Sequence, residues 1–364
     1  MKQSVYNSKK RELGGELPKQ RDSNLELFRI ITMLLIVAHH YVVNSGLLAP
    51  IYQDPLSGKS LFLLVFGAWG KTGINCFLLI TGYFMCTSKI SLKKFLKLYF
   101  NILFYKIVFY FIFMSFGYET FTIKGCLNML LPFTSIAANF FGCYLMFYLT
   151  IPFLNILVRN MNEREHSCLL VLCSIIFILL GTVPLGTVVF NYVTWFAVIY
   201  FFGAYIRLYP KKIFSNVRFW AISTCILVIL SIVSVVICTW YGTLIGKNIS
   251  FYFVSDSNKI LAVLTALSAF LFFKNLNLGY SKLINTIAAS AFGVLAIHAN
   301  SNAMRQWLWK DTLQNATMYT SEYIVLHAIG SVIVVYLICT VIDYFRIKFI
   351  EIPFFKLWDK RLAK

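Results

Sequence analysis

The chain has 364 residues, of which 59% are hydrophobic and 13% charged, with a formal net charge of +19 and a mean hydropathy of +0.74. Soluble domains are about half apolar and about one-quarter charged, so this composition excludes one. The apolar residues fall in blocks of about 20, the length that crosses a bilayer as a helix, which indicates an all-α polytopic membrane protein.

Residues 1–24 are polar and basic and hold no short apolar core before a small-residue cleavage site, so the expectation is a cytoplasmic segment rather than a cleaved signal. Ten spans follow in chain order, at roughly 25–46, 63–85, 96–116, 138–157, 167–184, 189–207, 217–240, 258–274, 284–301 and 323–345. Residues 25–346 form one transmembrane domain, and 347–364 a basic tail. With these spans, 25 of the 33 Lys and Arg residues fall on the side of the N-terminus and 7 on the opposite side. The positive-inside rule then places both termini in the cytoplasm. It also accounts for the positive charge without nucleic acid, for which no motif or aromatic-interleaved basic patch is present.

The nine cysteines are scattered, mostly inside spans, with no CxxC pair and no zinc-type Cys/His spacing. They read as small packing residues, and no metal is expected.

The first span carries FRIITMLLIVAHHYV, from Phe28 to Val42. Arg29 and His40 are eleven positions apart, which is three helical turns plus about 20°, so both face one way, about 16 Å apart along the axis. Glu26, three residues before Arg29, lies near the same stripe and is placed to pair with it. His39 points about 100° away from His40. Such a stripe is costly in lipid and is expected to line a polar cavity in the bundle. In a structural reading, His40 is simply hydrogen-bonded inside the bundle and Arg29 snorkels to the interface. In a functional reading, His40 is a general base in a tunnel, since imidazole is the side chain best matched to proton abstraction near neutral pH.

Four later residues raise the same choice between packing and chemistry. Asn75 is a polar group inside the second span, facing the cavity or bonding between helices. Lys106 falls well inside the third span, where lipid exposure is unfavourable; it either lines the cavity or is neutralised by a local carbonyl or carboxylate. Tyr144 is one of several amphipathic aromatics that either pack or stack on a ligand. His298 ends an apolar stretch and is followed by Ala299, Asn300, Ser301 and Asn302; it either binds or orients a ligand or simply closes a helix.

Together these pieces resemble the membrane-bound acyltransferase-3 family, whose members modify bacterial surface glycans. The arginine, ten intervening residues and a histidine in the first span are similar to its signature. GKTGINCFLLITGYF (Gly70 to Phe84), FGCYLMFYLTIPFLN (Phe141 to Asn155), YFFGAYIRLYP (Tyr200 to Pro210), FGVLAIHAN (Phe292 to Asn300) and IEIP (Ile350 to Pro353) resemble later family segments in the same order. The resemblance covers about residues 20–358 and is to the stand-alone members, which carry no appended hydrolase-like domain.

The resemblance implies an O-acyltransferase of the bacterial cytoplasmic membrane. Its donor would be acyl-CoA, most simply acetyl-CoA, and its acceptor a hydroxyl of a cell-surface or capsular polysaccharide or of a lipid-linked precursor. His40 would be the general base, Arg29 would position or neutralise the donor, and Glu26 would hold Arg29. A CoA nucleotide needs cations for its phosphates. KISLKKFLKLYF, from Lys89 to Phe100, offers Lys93, Lys94 and Lys97, with Lys93 and Lys97 on one helical face. The same lysines equally suit an anchor on anionic membrane lipid. The competing function class is a secondary transporter or flippase in which Arg29, Lys106 and His40 form the pathway. Transporters often carry duplicated halves, and the two halves of this chain show no such symmetry.

Overall fold

A computed structural model describes residues 23–131, 140–184 and 188–362. It is 79% helical, with no strand among the described residues. Most of the expected N-terminal segment, the start of the fourth expected span and the last two residues lie outside the described residues.

Seven helices are long and apolar enough to cross a membrane, or eight if a bent pair is one span. The first is α1 (Ser23–Val43). Next come α2 (Gly58–Gly67) and α3 (Gly70–Met85), which together make one span. They are followed by α4 (Leu92–Ser115), a short α5 (Ile123–Leu130) and α6 (Phe140–Asn160). Helix α7 (Glu163–Cys173) continues through a π-helical segment to Thr182. Then come α8 (Tyr192–Leu208), α9 (Val217–Ile245) and α10 (Ile260–Lys274). The bent pair contains α11 (Lys282–Ala289), α12 (Ala291–His298) and α13 (Asn302–Arg305). Helix α14 (Ile324–Arg346) runs through a π-helical turn into α15 (Ile352–Leu362), so helix continues past the expected boundary at 346.

Local sequence sets several of these ends. Ser91 caps α4 by accepting from the Lys94 amide. Asn162 and Glu165 form a reciprocal capping box on α7. Gly246 ends α9 at φ +63°, a conformation glycine adopts without a Cβ penalty.

Three of the ten expected spans differ in form. Those at 189–207 and 258–274 are α8 and α10, only 17 and 15 residues long, or about 26 and 23 Å of helix. Both pack against α3 inside the bundle, and a helix buried on several sides is apolar all round, as a span is. The span expected at 284–301 is broken after His298, and its two arms meet at 94°.

Helix α1 is the seam of the molecule, packing against α2, α3, α11, α12 and α14. Its Met33, Val37 and Tyr41 enter one apolar core with residues of α2, α4, α12 and α14. Its Leu25 and Phe28 enter a second core built from α3, α6, α8 and α10. Helix α5 folds back along α4, where Tyr99 of α4 donates to the Leu130 carbonyl at 2.9 Å.

Candidate active site

The histidines of α1 and α12 meet in the bundle. Nδ1 of His40 lies 3.0 Å from Nε2 of His298, and the ring centroids are 5.1 Å apart. His298 is fully buried and His40 only partly so. On its other side, Nδ1 of His298 lies 2.6 Å from the Val294 carbonyl one turn back. A carbonyl only accepts, so that nitrogen carries the proton. With both imidazoles neutral the pattern has one solution. Nε2 of His298 accepts, Nδ1 of His40 donates to it, and Nε2 of His40 keeps a free lone pair.

His39 is held apart from this pair. Its Nδ1 donates to the Gly67 carbonyl at 2.6 Å. The ring lies against Gly70, where an added Cβ would stand 2.2 Å from His39 Cγ. Only a glycine at Gly70 permits that approach.

Two lysines lie on the segments that flank the histidines. Lys71, one residue beyond Gly70, bonds the Tyr192 hydroxyl and lies 3.4 Å from Asp256. Lys106 of α4 donates to the Asn300 carbonyl at 3.1 Å, at the break that follows His298. Non-helical backbone at membrane depth is tolerated where protein buries it or a wet cavity meets it. A pocket of about 170 Å³ opens here, lined by Lys106, Tyr110, Glu119, Asn128, Asn300 and Ser301 among others.

At the other end of the stripe, Arg29 Nη1 reaches both oxygens of the buried Glu26, at 3.0 and 3.2 Å. The Tyr144 hydroxyl lies 3.3 Å from that of Thr81. Between Arg29 and His40 the same face presents Met33 and Ile36, at 0% and 5% exposure. The wall between the two polar ends is therefore apolar and packed.

The remaining sequence candidates are engaged elsewhere. Asn75 is fully buried, donating to the Ser257 carbonyl at 2.7 Å and accepting from the Trp195 indole at 2.9 Å, so its amide ties α3 to neighbouring segments. Lys93 pairs with Asp359 at 2.6 Å, and Lys97 with Glu351 at 3.6 Å. Lys94 donates to the Lys89 carbonyl. All three lysines thus sit in one region, two of them against the C-terminal helical rod.

Sequence reading passes over Arg305 and over a buried cluster on α14. In that cluster Asp343, fully buried, accepts from Tyr105 at 2.9 Å and from Arg346 Nε at 2.7 Å, and Arg346 continues to Glu351 at 2.8 Å. An aspartate within an expected span was the available signal.

The fold and these intramembrane ionisable groups define a multi-pass membrane protein with its polar chemistry placed inside the helix bundle. The chain belongs to the acyltransferase-3 family: the family's model, an acyltransferase domain, matches residues 22–344, most of the chain, and makes this protein a membrane acyltransferase. No curated protein and no solved structure matches the chain.

Proposed function

We propose that the protein transfers an acyl group, most simply acetyl, from acyl-CoA on the cytoplasmic side to a hydroxyl of a cell-surface glycan or its lipid-linked precursor, in the bacterial cytoplasmic membrane and with both termini inside. The observation that carries this reading is the contact between His40 and His298, with Nδ1 of His298 anchored on the Val294 carbonyl.

In this reading Nε2 of His40 removes the proton from the acceptor hydroxyl as its oxygen attacks the thioester carbonyl. The tetrahedral intermediate carries an oxyanion, which a cationic side chain favours; in this reading that part falls to Arg305, with Lys71, offset by Asp256, as the weaker contributor. Collapse breaks the C–S bond, and His40 returns the proton to the departing thiolate. His298 orients His40 and accepts from its Nδ1–H, which stabilises the imidazolium formed midway. Fixing the tautomer matters because only the unprotonated nitrogen can act as base.

At the cytoplasmic end, Lys93, Lys94 and Lys97 receive the phosphates of the nucleotide. Their present partnerships are half-exposed ion pairs and a backbone contact. Exposed pairs contribute about 0–1 kcal/mol each, so a multiply charged phosphate displaces them at little cost. Arg29, held by Glu26, meets the arm that carries the acyl group. That arm passes Met33 and Ile36 only after they shift. An apolar wall yields to a slender chain more readily than to an ion or proton path, which needs water or polar groups throughout. Transfer from labelled acetyl-CoA to glycan by the purified protein in vesicles tests this function. Mass analysis of surface glycans with and without the protein identifies the added group and the sugar that carries it.

A further inference from the structure

We propose that the pocket between α4, α5 and the break after His298 receives an anionic group of the acceptor, a carboxylate or a phosphate ester, with Lys106 as its counter-charge. This deepens the acyl-transfer reading and rests on it for the word acceptor. The site itself is defined without it.

The charge balance of the pocket carries the inference. Lys106 lines it and donates to one neutral oxygen, the Asn300 carbonyl. An ammonium has three donors. Among the described residues, no carboxylate lies within ion-pair distance of Lys106, although Glu119 lines the same pocket. Arg305, five residues beyond Asn300, is also without an ion pair among the described residues. Its Nη1 donates to Asn302 at 3.3 Å, and its Nε is buried with no partner. Arg305 ends the short helix α13, which Ser301 of the pocket wall caps by accepting from the Met304 amide. Lys106 on the pocket wall and Arg305 one helical turn beyond Ser301 thus bring two positive charges to a region that holds one carboxylate, Glu119. Like charges held this way repel until an anion joins them.

Position and size narrow the occupant. Asn300 and Ser301, on the pocket wall, follow His298 by two and three residues. An anion seated there is joined to the paired histidines by only this short stretch of chain, and the proposal places a neighbouring hydroxyl of the same sugar unit on their side. About 170 Å³ takes one charged substituent, not a length of polymer. Tyr110 and Ser301 add hydroxyl groups that each make one hydrogen bond within the protein and have capacity for another.

The test is ligand-dependent unfolding of the purified protein, with sodium glucuronate as the carboxylate probe, glycerol phosphate as the phosphate ester and glucose as the neutral control. One or both anions should raise the unfolding midpoint while glucose does not, and the stronger anion identifies the acceptor class. Lys106→Gln should raise the half-saturating anion concentration about tenfold or more, as expected for loss of one charge-assisted hydrogen bond. Glu119→Gln should lower it, a change of opposite sign that a damaged fold cannot mimic. Equal responses to glucose and both anions, or unchanged anion binding in both variants, overturns the proposal. The readout is binding, so failure here leaves acyl transfer standing, and failure of acyl transfer leaves an anion site.

Discussion

His40 Nδ1 stands 3.0 Å from His298 Nε2, although the two residues are 258 positions apart in the chain. The pairing turns two lone histidines into an oriented unit, and the carbonyl of Val294 sets the direction of its hydrogen bonds. A base whose second nitrogen is tied to a fixed acceptor presents one tautomer to its substrate.

His298 is therefore expected to act through His40. His298→Ala should lower kcat about a hundredfold or more, the usual scale for general-base catalysis, with little change in the KM for acetyl-CoA. His298→Gln keeps a side-chain oxygen able to accept from His40 and should recover part of the loss. A purely structural His298 would show equal damage in both variants, together with a lowered unfolding midpoint.

The cytoplasmic lysines make a prediction about the donor. Lys93→Glu combined with Lys97→Glu should raise the KM for acetyl-CoA by about tenfold or more, two charge-assisted contacts being lost. Steady-state kinetics at fixed acceptor reads this directly. An unchanged KM would assign these lysines to the membrane surface and to their partners Asp359 and Glu351.

Gly70 offers a stability test close to the site. An added methyl would meet the His39 ring at 2.2 Å, so Gly70→Ala should destabilise the protein by about 1–3 kcal/mol, the cost of overpacking. Thermal unfolding in detergent measures it. Combining it with His39→Ala removes the obstructing ring and should recover much of the loss.

The buried ion pair on α14 predicts a larger effect. Arg346→Met leaves the fully buried Asp343 without its cation, and should cost about 3–5 kcal/mol of stability. Replacing both residues with apolar ones of similar volume should cost less than this single change, because no buried charge remains.

Much of the first span was legible from spacing alone. The helix expected at 25–46 runs from Ser23 to Val43, and Glu26 pairs with Arg29 as their three-residue separation requires. Local periodicity fixes such relationships because a helix repeats every 3.6 residues. The partner of His40 was not legible in this way, since a contact between distant helices leaves no local pattern. Nor was the break after His298, where polar Asn300 and Ser301 signalled an end but not the turn back into the bundle. Helices α8 and α10 are shorter than the other spans, a difference that composition does not show: burial inside a bundle demands the same apolar composition as contact with lipid. The stripe between Arg29 and His40 was expected to be wet along its length. Its ends are polar, but Met33 and Ile36 pack between them; these residues read equally well as cavity wall or core.

The most direct measurement is transfer of labelled acetyl from acetyl-CoA to glycan by purified His40→Ala protein beside the wild type, with the unfolding midpoint of each recorded. Transfer is expected to vanish from the variant while its midpoint stays near that of the wild type. Near-normal transfer by a folded His40→Ala protein would contradict proton removal by His40, and with it the chemistry assigned to the histidine pair.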